Sequence, residues 1–408
     1  MNYKISDKLA LEEFILAHYD EINAYIDQEM SKIVVPLYSS VDIREDSHKF
    51  APVDHNLYPA GFNNLCTIDL KKASEAFRQS IMTIDPKAKT LGILPESHTK
   101  NLMYLENIVS LKTCLEAAGF SVVLFTPDQE MFGTEKDIRL TSAKGSELQI
   151  HLARFEDGLF VIDSLPATKI DVVILNHDQS NPFDLNWYEA KVPVVPSPLL
   201  GWYKRQKNRH FSIYHEILQR FGEKFSINPD LLEAHFATVA EVDFMAKEGL
   251  DKVASAIDEL KSKINHPDTK IFMKASKGTY GMGISVVSSG EEVINMNRKN
   301  RNKMDVGKNH IKFTDILLQE GVETIIKYDN MPAEITIYLV GGKPIGGFMR
   351  ANQEKGTLDN LNSRGMVFKK FCIQGIQQDH DDTIMEAAYS IIARLSTLAS
   401  GFELSEIL

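Results

Sequence analysis

The densest chemistry in the chain lies where Lys270-Ile271-Phe272-Met273-Lys274-Ala275 precedes Ser276-Lys277-Gly278-Thr279-Tyr280-Gly281-Met282-Gly283 and then Ile284-Ser285-Val286-Val287. Two apolar runs around a glycine-rich turn read as a β-hairpin. Gly278, Gly281 and Gly283 let the turn adopt left-handed dihedrals and bring its N–H groups, through Thr279 and Tyr280, against phosphate oxygens. Lys274, at a strand position among apolar residues, would add a fixed ammonium for the same phosphates, and Lys277 stands at the mouth of the turn. The segment is neither a Walker A loop nor a strand-to-helix dinucleotide fingerprint. The competing reading is a hairpin whose two lysines face water.

Three further segments bear on that choice. Asp315 to Val322 reads as a buried strand ending in Gln319-Glu320-Gly321-Val322, where exposed backbone groups could meet an adenine edge. Ala333 to Val340 is a strand carrying Glu334, Gly341-Gly342 turns it, and Pro344 to Met349 pairs back before Arg350. Leu358-Asp359-Asn360-Leu361-Asn362-Ser363 offers oxygen ligands of the kind Mg2+ takes beside nucleotide phosphates, with a plain Asx turn as the alternative. Upstream, Pro36 to Asn64 is polar and irregular and concentrates Asp42, Arg44, Asp54, Asn56, Asn63 and Asn64. Substrate contact would give such a stretch a reason to be ordered; a surface loop capped by its own side chains is the alternative.

Elements must hold these residues in place. Leu11, Phe14, Ile15, His18, Ile22, Tyr25 and Ile26 predict an amphipathic opening helix over residues 8 to 30, with His18 packed on it. Thr90 to Leu94, a helix through Asn107 to Ala118 capped by Gly119, and Ser121 to Phe125 form a βαβ unit. Glu147 to Asp163 reads as a hairpin turning at Asp157-Gly158, and Ile170 to Leu175 as a buried strand opening into Asn176-His177-Asp178. Residues just past strand carboxyl ends face the ligand crevice of an open α/β sheet, which singles out Glu96, Ser97, His98, Asn101, Asn176 and Asp178. Val192 to Pro198 reads as a connector, giving an N-terminal α/β region over 1–200 and a second domain over 201–408. A helix carrying Val253, Ile257, Leu260 and Ile264 stops at Pro267, and the last one starts near Thr383 and Glu386 and ends near Gly401.

Composition bounds the function class. With 408 residues, 43% hydrophobic and 25% charged, the chain has enough apolar content for a large core and no apolar run of membrane length. A net charge of −11 argues against nucleic acid, and the basic cluster Arg298, Lys299, Arg301 and Lys303 reads as a solvated loop. Cys66, Cys114 and Cys372 show neither metal spacing nor a disulfide framework; Cys66 reads as a free buried thiol. With no secretory signal visible, a reducing cytoplasm is the expected compartment.

Taken together, the segments resemble the ATP-grasp superfamily and, more closely, the proteobacterial family of glutamate-cysteine ligases. The resemblance is carried by Pro36-Leu37-Tyr38-Ser39-Ser40-Val41-Asp42-Ile43-Arg44, Ala51-Pro52-Val53-Asp54, Asn56-Leu57-Tyr58-Pro59-Ala60-Gly61-Phe62-Asn63-Asn64, the glycine loop and Asn360-Leu361-Asn362-Ser363. It implies a pre-ATP-grasp-like α/β region followed by an ATP-grasp-like domain, and ATP- and Mg2+-dependent joining of the glutamate side-chain carboxylate to the cysteine amine. On that resemblance Lys274, Lys277 and the loop bind phosphates, Gln319, Glu320 and Val322 bracket adenine and ribose, and Arg350 serves the transferring phosphate. Glu334, Asp359, Asn360 and Asn362 form the pool of metal ligands. Where many ATP-grasp enzymes place a Glu two residues before the metal-binding Asn, this chain has Asn360. Arg44, Asp54, Asn56, Asn63 and Asn64 carry over as amino-acid contacts. Another ATP-grasp carboxylate-amine ligase and a non-catalytic sensor of nucleotide or amino acid are the rivals.

Overall fold

The computed structural model describes residues 3–97, 100–264, 266, 268–277, 283–305, 314–371 and 380–408. Helices α1 (Lys8–Ala17) and α2 (Tyr19–Met30) open the chain, followed by strands β1 (Tyr38–Glu45) and β2 (Phe50–Asn56) and helix α3 (Thr67–Ile84). Next come β3 (Thr90–Pro95), α4 (Leu102–Ala117), β4 (Ser121–Thr126), β5 (Asp137–Thr141), β6 (Glu147–Glu156), β7 (Leu159–Ile162), β8 (Val172–Asn176) and β9 (Val194–Val195). The second half holds α5 (Lys207–Phe225), β10 (Phe236–Val239), α6 (Lys247–Lys263), β11 (Ile271–Ala275), β12 (Ile284–Val287), α7 (Gly290–Ile294) and α8 (Arg298–Asp305). It closes with β13 (Ile316–Glu320), β14 (Lys327–Tyr328), β15 (Met331–Val340), β16 (Lys343–Asn352), β17 (Met366–Phe371) and α9 (His380–Ser405). The α/β class expected from the sequence is what the chain adopts. No helix among the described residues is long and apolar enough to cross a membrane.

Three sheets organise these elements. The first runs β5-β6-β4-β3-β8-β9, with β7 on β6; β3 is parallel to both β4 and β8. Every residue of β8 is buried, as expected for a parallel strand covered on both faces. Because β4 lies on one side of β3 and β8 on the other, the strand order reverses at β3, where the crevice of an open α/β sheet forms. Gly92 sits inside β3 for a steric reason: a Cβ there would meet Phe125 Cε1 at 2.2 Å. Gly92→Ala should therefore lower stability by about 1–3 kcal/mol, read as a fall in the urea midpoint.

The second sheet, β17-β16-β15-β1-β2 with β14 on β15, is antiparallel and joins chain segments far apart in sequence: Asp42 faces Thr336 across β1 and β15. Strands β1 and β2 come from the first 200 residues and β15 to β17 from the rest, so the sheet crosses that sequence division. Its pleat separates two tasks. Val41, Ile43, Ile335, Ile337 and Leu339 join a core with the buried faces of α1, α2, α5 and α9. The alternate residues Ser40, Asp42, Arg44, Glu334, Thr336 and Tyr338 line a cavity.

The third sheet, β10-β13-β11-β12, repeats that logic. Ile271, Met273, Ile316 and Leu318 pack with Val253, Ile257 and Leu260 of α6, while Phe272, Lys274 and Gln319 line the same cavity.

Several local expectations change. The opening helix is two, broken at His18, whose ring stacks on Phe14 with centroids 4.2 Å apart. The 36–64 segment is mostly strand, not loop, and the basic cluster at 298 lies on α8. Cys66 is disulfide-bonded, not a free thiol. Cys114 is free, and burial pushes its thiol up to about 11. Cys372 and Pro267 lie outside the described residues, as do the side chain of Thr383 and that of Lys303.

Candidate active site

The faces left polar by the two antiparallel sheets and the strand ends of the parallel sheet enclose one cavity of about 460 Å3. It has three chemically distinct parts.

The first part belongs to the β10–β13 sheet. Lys274 is buried on β11, and its Nζ donates to Gln319 Oε1 and to Val53 O, each at 2.7 Å. Burial, only partly offset by Asp54, brings the ammonium down to about 8. Gln319 is buried too, and its Nε2 has no partner among the described residues, leaving a donor for a ligand. Glu320 Oε2 accepts from Lys49 Nζ and from the His235 N–H, both at 2.9 Å. Val322 lines the wall beside it. β11 and β12 pair as the sequence hairpin requires, and Gly283 enters β12 at φ +65°, its carbonyl accepting from the Ala275 N–H at 2.8 Å. Gly278, Thr279, Tyr280 and Gly281 lie outside the described residues. Lys277 is exposed and does not line the cavity, whereas Lys274 does.

The second part is a buried ion cluster on β1, β15 and β16. Arg350 Nη1 donates to Asp42 Oδ2 at 3.0 Å and to Glu334 Oε1 at 2.7 Å, while its Nε has no partner among the described residues. Thr336 Oγ1 donates to Asp42 Oδ1 at 2.7 Å. Arg44 Nε donates to Glu334 Oε2 at 2.9 Å. Burial would raise Glu334, yet Arg44 and Arg350 together hold it below the usual carboxylate value. For Asp42 burial wins: with Glu334 and Asp54 nearby, it stays above the usual value despite Arg350. Asp54, also desolvated, is brought down to about 2 by Lys207 and Lys274. It pairs with Lys207, whose ammonium lies 4.5 Å from the Trp202 ring centroid.

Arg44 lines the cavity and is already engaged there: its Nη2 donates to Asp359 O at 2.6 Å and its Nε pairs with Glu334, so it clamps β1 to the 357–359 turn. Asp359 turns away from the cavity, accepting from the Gly356 N–H at 2.8 Å and facing Lys270 at 3.8 Å. Asn360 and Asn362 do line the cavity, and Asn360 Oδ1 accepts from the Asn362 N–H at 3.0 Å, so the Asx turn and the cavity wall are the same structure.

The third part lies beyond the carboxyl ends of β3 and β8. Asn56, Asn63, Asn64, Glu96, Asn101 and Asp178 line it. Asn176 is scaffold: its Nδ2 donates to Tyr38 Oη at 2.9 Å and Pro59 O at 3.1 Å, while its Oδ1 accepts from Tyr104 and Asn107, each at 3.0 Å. Asn107 Oδ1 in turn accepts the N–H groups of Gly61 and Phe62 at 2.9 and 3.0 Å, fixing the 59–64 turn over the chamber.

Sequence reasoning did not single out Lys207, Trp202 or Thr336. Nothing in Trp202-Tyr203-Lys204-Arg205-Gln206-Lys207 separates the buried lysine from exposed Lys204; only the turn into α5 does.

The Glutamate-cysteine ligase family (GshA) matches residues 12–404 of the chain. The crystal structure of "Putative gamma-glutamylcysteine synthetase" from Methylobacillus flagellatus KT is similar at TM-score 0.89 and 30% identity, covering 98% of this chain and 96% of that one. D-alanyl-alanine synthetase A from Vibrio cholerae O1 biovar eltor aligns at TM-score 0.38 and 14% identity over 76% of this chain and 81% of that one, too distant to build on. No curated protein matches the chain.

Proposed function

The chain belongs to the glutamate-cysteine ligase family, ATP-dependent enzymes that join a carboxylate to an amine, and from that premise we infer that the cavity forms γ-glutamylcysteine through an acyl phosphate. The observation that carries this reading is one cavity that brings together a fixed ammonium, an amide donor without a partner among the described residues, a buried arginine and a polar chamber.

Lys274 and Gln319 would hold nucleotide, with Glu320 and Val322 along its base and ribose. Arg350, already desolvated and oriented by Asp42 and Glu334, would face the transferring phosphoryl group, whose charge needs a preorganised cation more than a flexible one. The glutamate side-chain carboxylate attacks the γ-phosphorus, ADP leaves, and the cysteine amine then displaces phosphate from the acyl carbon. Enclosure by the 59–64 turn and the two sheets keeps water from that mixed anhydride. Asp54, Asn56, Asn63 and Asn64 lie where they can position the amino acids.

The donor set suits a hard divalent cation: Glu334 and the amide oxygens of Asn360 and Asn362 line one cavity, and Asp42 shares Arg350 with Glu334. Mg2+ would be held by Glu334, Asn360 and Asn362, with Asp42 taking the place expected of Asp359, and would supply neutralisation of phosphate charge.

Purified protein given ATP, glutamate and cysteine should release ADP and phosphate, not AMP, only when both amino acids are present. Release of AMP, or ADP release indifferent to cysteine, would overturn this reading; a panel of other carboxylate and amine pairs separates it from a ligase of different substrates.

A further inference from the structure

We propose that Phe348 and Phe368, on the adjacent strands β16 and β17, form the wall that receives the side chain of the cysteine whose amine displaces phosphate, and so set the preference for a thiol over a hydroxyl. The proposal rests on the ligase reading above and names the residues that make it selective for its acceptor.

Register places these rings beside the reacting atoms. On the cavity face of the second sheet, Glu334 of β15 stands opposite Arg350 of β16, and Arg350 stands opposite Phe368 of β17. Side chains directly across a ladder have Cβ atoms about 4.5–5.5 Å apart, so one flank of Arg350 is carboxylate and the other is aromatic. Phe348 precedes Arg350 by two residues and shares its face, and its ring meets that of Phe368 edge-on with centroids 5.2 Å apart. Met366, two residues before Phe368, extends the same apolar strip. An acyl group activated beside Arg350 is met by the cysteine nitrogen, and the sulfur lies only three bonds from that nitrogen. The thiol must therefore rest against a wall adjoining the arginine.

The other adjoining groups are already engaged. Glu334 and Asp42 are held by Arg350, Arg44 and Thr336, and Lys274 with Gln319 lies on the sheet given to nucleotide. The aromatic flank differs. Phe348 is buried and fixed, whereas Phe368 is 43% exposed and Met366 38%, although both line the cavity. Large apolar side chains that line a binding cavity and still meet water gain most when a ligand covers them. Of the three substrates, glutamate brings charge at both ends and ATP carries its apolar surface on adenine, at the third sheet, so the group left for this strip is the cysteine CH2–SH. A thiol is weakly hydrogen-bonding and polarisable, which suits an aromatic edge and a thioether. A serine hydroxyl against the same rings would give up its hydrogen bonds to water.

The test measures amine-dependent ADP release with cysteine, serine and 2-aminobutyrate, which carries a methyl group in place of the thiol, by wild type, Phe368→Ala and Phe368→Leu. Wild type should favour cysteine over serine by about 10- to 100-fold in kcat/KM and take 2-aminobutyrate within about tenfold of cysteine. Phe368→Ala should raise the KM for cysteine and 2-aminobutyrate by about 5- to 20-fold and lose most of the preference over serine. Its KM values for ATP and glutamate should stay within about twofold of wild type. Phe368→Leu, which keeps an apolar wall, should retain the preference. A wild type that uses serine as well as cysteine would overturn the proposal without any variant, as would rejection of 2-aminobutyrate alongside serine. So would an alanine variant that keeps the preference, or one that raises the KM for ATP instead, which would put the ring under adenine. Wild type that releases no ADP with glutamate, ATP and any of the three amines would instead sink the ligase reading itself.

Discussion

Lys274→Met should lower kcat/KM for ATP by about 10²- to 10³-fold without lowering the melting temperature. The variant removes the ammonium fixed between Gln319 Oε1 and Val53 O while keeping the volume of the stem. Its stability follows from the same burial. The native group sits near 8, against an ordinary 10.5, because desolvation disfavours its charge. From pH 8 to 10.5 the unfolded chain still holds the proton that the native lysine has released, so this residue's share of wild-type stability rises with pH across that window and is least favourable below it. Methionine avoids that penalty. Nucleotide binding favours the charged form, so the KM of wild type for ATP should climb as pH rises through 8, whereas that of the variant should stay flat over pH 7 to 9. Steady-state ADP release at several pH values checks both statements. A variant within about threefold of wild type, or parallel pH profiles, would remove Lys274 from the nucleotide site.

Glu334→Ala should be the most destabilising change in the cavity wall, by about 3–5 kcal/mol in urea unfolding. Glu334 holds Arg44 at 2.9 Å and Arg350 at 2.7 Å, all three buried, so its removal leaves one guanidinium with backbone carbonyls alone and the other with Asp42. Glu334→Gln retains an acceptor and should cost less stability, yet should abolish ADP release, because it removes the carboxylate proposed for Mg2+ and loosens Arg350 together. An alanine variant with an unchanged urea midpoint would mean that the two arginines find other partners.

What could be read from the sequence depended on how local its signal was. The βαβ unit at β3, α4 and β4, the hairpin of β6 and β7 and the turn between β15 and β16 follow from residues near one another, and all are present. The strand-end rule singles out Glu96, Ser97, His98, Asn101, Asn176 and Asp178; Glu96, Asn101, Asn176 and Asp178 line the cavity, Ser97 does not, and His98 lies outside the described residues. The stretch holding β1 reads as a loop because Ser40, Asp42 and Arg44 look like surface residues; they are buried, since the face opposite Val41 and Ile43 lines the site instead of meeting water. Its pairing with β15 could not be seen, because nothing in a window around Asp42 refers to Thr336. Asp359 escapes sequence reasoning for a related reason: residue type gives its charge, but only the folded chain shows that charge engaged with the Gly356 N–H and Lys270.

The pairing of β1 with β15 also bears on how the protein comes to exist. A strand that leaves the ribosome early must wait until residues 331–340 have been made before its partner is available. At about 5–20 residues per second, that interval is on the order of 15–60 s. Throughout it, β1 has only β2 as a neighbour, and the nascent chain exposes an open edge to other chains and to chaperones. Slower translation before codon 331 should therefore lower soluble yield more than an equal delay after it.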